Sequence, residues 1–156
     1  MVHREYALRP TEPLPLFHSW PLADQPGRSD LGQLVDFALP GIGDLPEDAR
    51  LAKLGIGWWE CDLSDNRLSW TDGVYDIFGF ARGSEVGRAD AVLRYVSESR
   101  AAMERLRAHA IEHKRGFTLD VEIEPVSGAR HWVRLITTPI CVGERVVRLR
   151  GIKQRI

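Results

Sequence analysis

The sequence predicts an α+β domain built on one antiparallel sheet, and three observations carry that prediction. Residues 57–63 and 67–70 read as two short strands around a polar turn, and residues 72–114 hold apolar side chains at helical spacing. After Gly116 the spacing switches to the two-residue repeat of strands. The order is therefore two strands, several helices and three strands, five strands in all. A chain of 156 residues is the size of one domain with extensions, long enough to bury roughly 70% of its unfolded surface. Its 44% hydrophobic and 28% charged residues are ordinary for a globular protein.

Seven of the nine prolines fall in the first 46 residues, and residues 1–28 have no sustained period, which predicts an extended or disordered arm. From Ser29 or Asp30 as cap, Leu31, Leu34, Val35, Ala38 and Leu39 form an amphipathic helical stripe that Pro40 stops. A second short helix runs from Pro46 through Leu51 and Leu54 to Gly55. Helices this short need a surface to dock on. Residues 29–54 are thus expected to cap a sheet face or meet a dimer mate, and residues 55–156 to form the compact domain.

In that domain Ser64, Asp65 and Asn66 supply turn chemistry between the first two strands. Val74, Ile77 and Phe78 share one face of a helix that Gly79 ends, a helical patch surrounds Ala91, Val92 and Tyr95, and the longest helix spans 98–114 with Ser97 as its cap. Phe117, Leu119, Val121 and Ile123 alternate with polar residues, as in a half-buried strand. Residues 131–139 are apolar on both parities, Trp132 and Ile136 against Val133 and Leu135, which predicts a strand covered on both faces. Residues 145–156 make the last strand.

A formal net charge of −1 excludes a strong general attraction for nucleic acid. The charge is unevenly spread, with eleven acids and four bases over residues 24–76 but seven bases and one acid over 130–156. Pairing of the first and last strands explains this if Glu60 and Asp62 face Arg148 and Arg150. Cys61 and Cys141 are too few for a disulfide framework, there is no export signal, and no apolar run spans a bilayer, so a cytoplasmic location is expected.

Six segments in order, GWWECDL (57–63), WTDGVYDIFGF (70–80), ESRAAM (98–103), GFTLDVEI (116–123), GARHWVR (128–134) and GERVVRLRGIKQ (143–154), resemble the PAS sensory-domain family, in its bacterial fold 3 type. The resemblance implies a five-stranded antiparallel sheet with helices on one face, where Trp59, Trp70, Ile77 and Phe78 wall the core. It also implies a cavity between sheet and helices, for which Tyr75, Phe78, Tyr95, Met103, Leu106, Val121 and Ile123 are the candidate wall. Two departures stand out: "VSES" at 96–99 replaces the usual His-Pro-acid-acid turn, and "QRI" replaces a closing Asp-Ile-Thr that normally leads into an output domain. A stand-alone regulator is the expectation that follows.

Candidate chemistry is sparse. His109, Glu112 and His113 match the H-x-x-E-H spacing of inverted zinc peptidases, but the helix is followed at once by Gly116 and strands, and ordinary chance matching accounts for it. The same two histidines are candidate axial ligands for haem, as in PAS oxygen sensors. Cys61 and Cys141 fall in strand-like stretches without the Asn-Cys-Arg helix of flavin-thiol photosensors. No phosphate loop or Ser-His-acid grouping stands out.

The expected function is a non-enzymatic bacterial single-domain PAS regulator, homodimeric, acting by contact on a separate sensor histidine kinase or similar partner. No metal, nucleic acid or direct membrane insertion is expected, and no cofactor is required. The alternative is a sensor holding haem or a small apolar ligand in the cavity, and a zinc hydrolase is the third reading. If the stripe on residues 31–39 holds the dimer, Leu34→Asp with Leu39→Asp shifts the protein toward monomer in light-scattering chromatography. An unchanged mass rejects that role.

Overall fold

The protein's structure, a computed structural model, describes residues 48–156. The elements are α1 (Asp48–Lys53), β1 (Ile56–Asp62), β2 (Leu68–Trp70), α2 (Asp72–Phe78), α3 (Arg88–Val92), α4 (Ser97–His113), β3 (Phe117–Ile123), β4 (His131–Val142) and β5 (Arg145–Arg155). The arm over 1–28 and the stripe at Leu31, Leu34, Val35, Ala38 and Leu39 lie outside the described residues.

The five strands form one antiparallel sheet in the order β2-β1-β5-β4-β3. The turn after β1 is built by the predicted side chains. Asp62 Oδ1 accepts the Ser64 N–H at 2.9 Å, Asp65 Oδ1 accepts the Arg67 N–H at 2.9 Å, and Asn66 adopts a left-handed φ of 59°. Gly79 ends α2 in the left-handed region, its N–H donated to Tyr75 O.

Strand alternation divides the sheet into two faces. The inner face carries Trp59, Cys61, Phe117, Val121, Ile123, Val133, Leu135 and Leu149 against Val74, Ile77 and Phe78 of α2 and Met103, Leu106 and Ala110 of α4. On the outer face Leu51 of α1 packs with Ile56, Ile136 and Ile152, flanked by Trp58. Helices α2 to α4 therefore lie on one face, as expected, while α1 covers a patch of the other. An Asp48 carboxylate oxygen also accepts the Asp72 N–H at 3.0 Å, tying α1 to the start of α2.

The predicted pairing of Glu60 with the basic last strand holds: Glu60 lies opposite Arg150, and its Oε1 accepts from Arg150 at 3.0 Å and Arg148 at 3.4 Å. Asp62 lies opposite Arg148, but its carboxylate turns to the Ser64 N–H and hydroxyl, and those bonds hold its pKa below the usual carboxylate value.

Three local expectations are corrected. Ser97 is the first residue of α4, and Val96, extended at ψ 146°, holds the cap position without a side-chain bond. The chain arrives there as a strand-like connection, with the Val96 N–H donated to Glu122 O, while the Ser99 hydroxyl accepts the Glu122 N–H. Leu54 is exposed because α1 has already ended at Lys53. Trp132 is 50% exposed, since the outer-face cover reaches only the Ile56, Ile136 and Ile152 end of the sheet.

Helix α2 meets β1 backbone to backbone. A Cβ on Gly73 would stand 2.0 Å from Ile56 O, and one on Gly57 would stand 2.4 Å from Val74 N. Neither clash involves a flexible side chain, so only separation of helix from strand relieves it. Gly73→Ala is expected to lose about 3 kcal/mol of stability by urea unfolding, whereas Gly87→Ala, whose Cβ meets only Asp90 Oδ2 at 3.7 Å, stays near wild type.

Candidate functional site

The inner face and the helices line a partly open cavity of about 60 Å³, room for a few water-sized groups. Its walls come from all five strands and from the region of α2 to α4. β1 and β2 give Trp59, Cys61, Leu68 and Trp70, and α2 gives Phe78. The α3 to α4 region gives Arg88, Ala91, Val92, Tyr95, Met103 and Arg107, and the later strands give Phe117, Leu135, Thr137, Leu149 and Lys153.

Aromatic packing shapes one side. Trp70 stacks on Phe78 with centroids 5.0 Å apart and planes 8° from parallel, and Phe78 meets Tyr95 at 5.7 Å. The α3 to α4 connection is fixed to β3 by the Tyr95–Ile123 bridge, and Arg100 donates to the carbonyls of Val92 and Tyr95.

The polar content is unusual for an apolar wall. Lys153 is 5% exposed, and its Nζ lies 4.1 Å from the Trp59 ring centroid and 5.6 Å from that of Phe78. No carboxylate pairs with it among the described residues. Burial therefore lowers its pKa to about 7, with Cys61 acting in the opposite direction. Burial likewise pushes the Cys61 thiol up, against the opposing influence of Arg107, Arg88 and Lys153. Trp59 Nε1 and Thr137 Oγ1 are buried without a hydrogen-bond partner among the described residues.

Of the residues chosen from the sequence, Phe78, Tyr95 and Met103 line this cavity. Leu106, Val121 and Ile123 do not; they are packed into the core beside it. Tyr75 lines an adjoining surface cleft, which shares Leu68, Trp70 and Arg88 with the cavity, and donates its hydroxyl to Ser84 O at 2.9 Å. His109 and His113 also lie off the cavity, on a part of α4 where their rings meet each other at 4.4 Å. Partial burial and then the nearby His113 and Arg115 charges depress the His109 pKa. Among the described residues no third His, Cys, Asp or Glu joins the pair as a metal site, and the cavity walls contain no histidine to hold haem iron. Both cysteines sit on strands, Cys61 in β1 and Cys141 in β4.

Sequence reasoning missed Lys153, Thr137, Arg88 and Arg107. The signal for Lys153 was present in the predicted charge pairing: if Arg148 and Arg150 face outward, strand alternation turns residues 149, 151 and 153 inward.

Solved structures share this arrangement. The N-terminal domain of a diguanylate cyclase with PAS/PAC sensor from Marinobacter aquaeolei matches with a TM-score of 0.58 at 15% identity, over 64% of this chain and 94% of that one. The fold is a PAS fold. A sensory box histidine kinase/response regulator from Burkholderia thailandensis matches with a TM-score of 0.58 at 12% identity, over 69% of this chain and 82% of that one. An RNA-binding light-oxygen-voltage receptor matches with a TM-score of 0.57 at 14% identity, over 64% of this chain but only 29% of that one. No protein-family model and no curated protein matches the sequence. Identities this low establish the shared PAS fold alone.

The buried amine makes stability depend on pH. Lys153 has its folded pKa at about 7, below the ordinary 10.5, so between these values the unfolded chain binds a proton that the folded chain does not, and stability rises with pH. The slope approaches about 1.4 kcal/mol per pH unit. Cys61 acts in the opposite sense above its ordinary 9.0, so the comparison belongs below about pH 9. Lys153→Met is expected to be the more stable protein in urea near neutral pH, and its advantage shrinks as the pH approaches that limit. A constant difference between the two proteins contradicts an uncharged buried lysine.

Proposed function

We propose that this chain is a non-enzymatic sensory module: the PAS domain over 55–156 reads a small molecule in its inner cavity and passes its state to another protein by contact. The observation that carries this reading is the cavity itself, an apolar site lined by the buried Lys153, whose amine has no carboxylate partner among the described residues. Buried polar groups without partners are costly in a merely structural core, and a ligand with matching groups removes that cost.

The output is proposed to go to a histidine kinase or comparable signalling partner, in keeping with the sensory box histidine kinase/response regulator among the fold's neighbours. The exposed outer-face residue Trp132, with the exposed Ile156 just after β5, whose N–H is donated to Trp132 O at 3.0 Å, offers apolar surface for such a contact. The segment 29–54 is proposed to support a homodimer. Among the described residues no helix is long and apolar enough to cross a membrane.

Native mass spectrometry of freshly purified protein, with an absorption spectrum of the same sample, tests the sensory reading. A non-protein mass that leaves on denaturation is the expected result. A bare chain whose unfolding temperature is indifferent to a panel of small metabolites overturns it.

A further inference from the structure

Among the described residues three cationic side chains line the cavity, Lys153, Arg88 and Arg107, and no carboxylate does. Arg88 is ion-paired with Glu104, and Arg107 donates to the neutral Asn66 side chain at 3.2 Å. Among the described residues Lys153 has only the faces of Trp59 and Phe78 and the neighbouring Cys61 thiol. Aromatic faces stabilise a cation but leave its N–H donors without an acceptor.

Building on the sensory reading above, we propose that the cavity takes a small organic anion, a carboxylate with an apolar body of a few carbon atoms. Its carboxylate accepts from Lys153 Nζ, and its apolar part lies among the surrounding rings. A cationic ligand meets uncompensated like charge. A neutral one leaves the amine deprotonated and gains no charge-assisted bond. The volume of about 60 Å³ suits about four water-sized groups, far fewer than a porphyrin or flavin ring system requires.

The proposal has a proton-linkage signature. Above neutral pH the free cavity holds a largely neutral amine, and a bound carboxylate favours the ammonium, so binding draws a proton from solvent. The titratable and charged groups around the amine are Cys61 of β1, Arg88 of α3, Tyr95 between α3 and α4, and Arg107 of α4. Burial raises the pKa of both Cys61 and Tyr95, so neither donates the proton or supplies a competing negative charge near pH 8.

Isothermal titration of the purified full chain with propionate and butyrate, beside propionamide and butyramide, at about pH 8 in two buffers of different ionisation enthalpy, tests the inference. The acids are expected to bind in the millimolar range or tighter, with uptake approaching one proton, and the amides roughly tenfold or more weakly. Lys153→Met and Lys153→Gln, both checked for folding by urea unfolding, should lose the acids' advantage and the proton uptake. Acids and amides binding alike, or acid binding that survives in both variants, overturns the anion proposal while leaving a ligand-reading cavity intact. Binding of neither acids nor amides overturns the anion proposal and counts against the sensory reading as well.

Discussion

The crossing of α2 over β1, with no side chain between the two backbones, sets the depth of everything on the inner face. Gly57 and Gly73 allow this approach, and Thr71 locks it: its hydroxyl accepts the Trp58 N–H at 2.8 Å, and its own N–H goes to Trp58 O at 3.0 Å. Once α2 is seated, Val74, Ile77 and Phe78 reach the core, and Phe78 supplies the plate on which Trp70 stacks. That pair then becomes one wall of the cavity. A helix held a few ångströms farther out would leave the lysine facing water instead of rings.

Much of this architecture was legible because it rests on patterns of short range. Alternation in 117–123, turn chemistry at 64–66 and the helix stop at Gly79 are read from neighbours in the chain, and the elements fall within a few residues of expectation. Pairing of β1 with β5 was also readable, since Glu60 needed a basic partner and the last strand held it. The cavity was harder, because whether an inward residue borders empty space depends on how its neighbours pack. Val121 and Ile123 point inward as expected yet meet close-packed core, while Thr137 and Lys153 looked like surface residues by type. The His109 and His113 pair shows the opposite error: helical spacing brought the rings together but said nothing about which wall they face.

A buried amine among rings is a compromise between two environments. The Trp59 face offers electrostatic attraction to a cation but cannot replace a full hydration shell. The charge state of Lys153 is therefore poised, and small changes in what surrounds it move it across neutrality. For a sensor this supplies a switch whose two states differ by one charge at the centre of the sheet, on the strand shared by both halves.

That shared strand has a consequence for how the protein is made. β5 is hydrogen-bonded to β1 on one side and β4 on the other, yet it is the last of the nine described elements to leave the ribosome. Until it arrives, β1–β2 and β3–β4 are two hairpins with open inner edges, and no other described strand joins them. Their union requires contacts between residues as distant as Gly57 and Lys153, which makes closure the slow, non-local step of folding. Synthesis thus delivers the central strand last, and the nascent chain must keep two sticky edges apart until the segment that belongs between them appears.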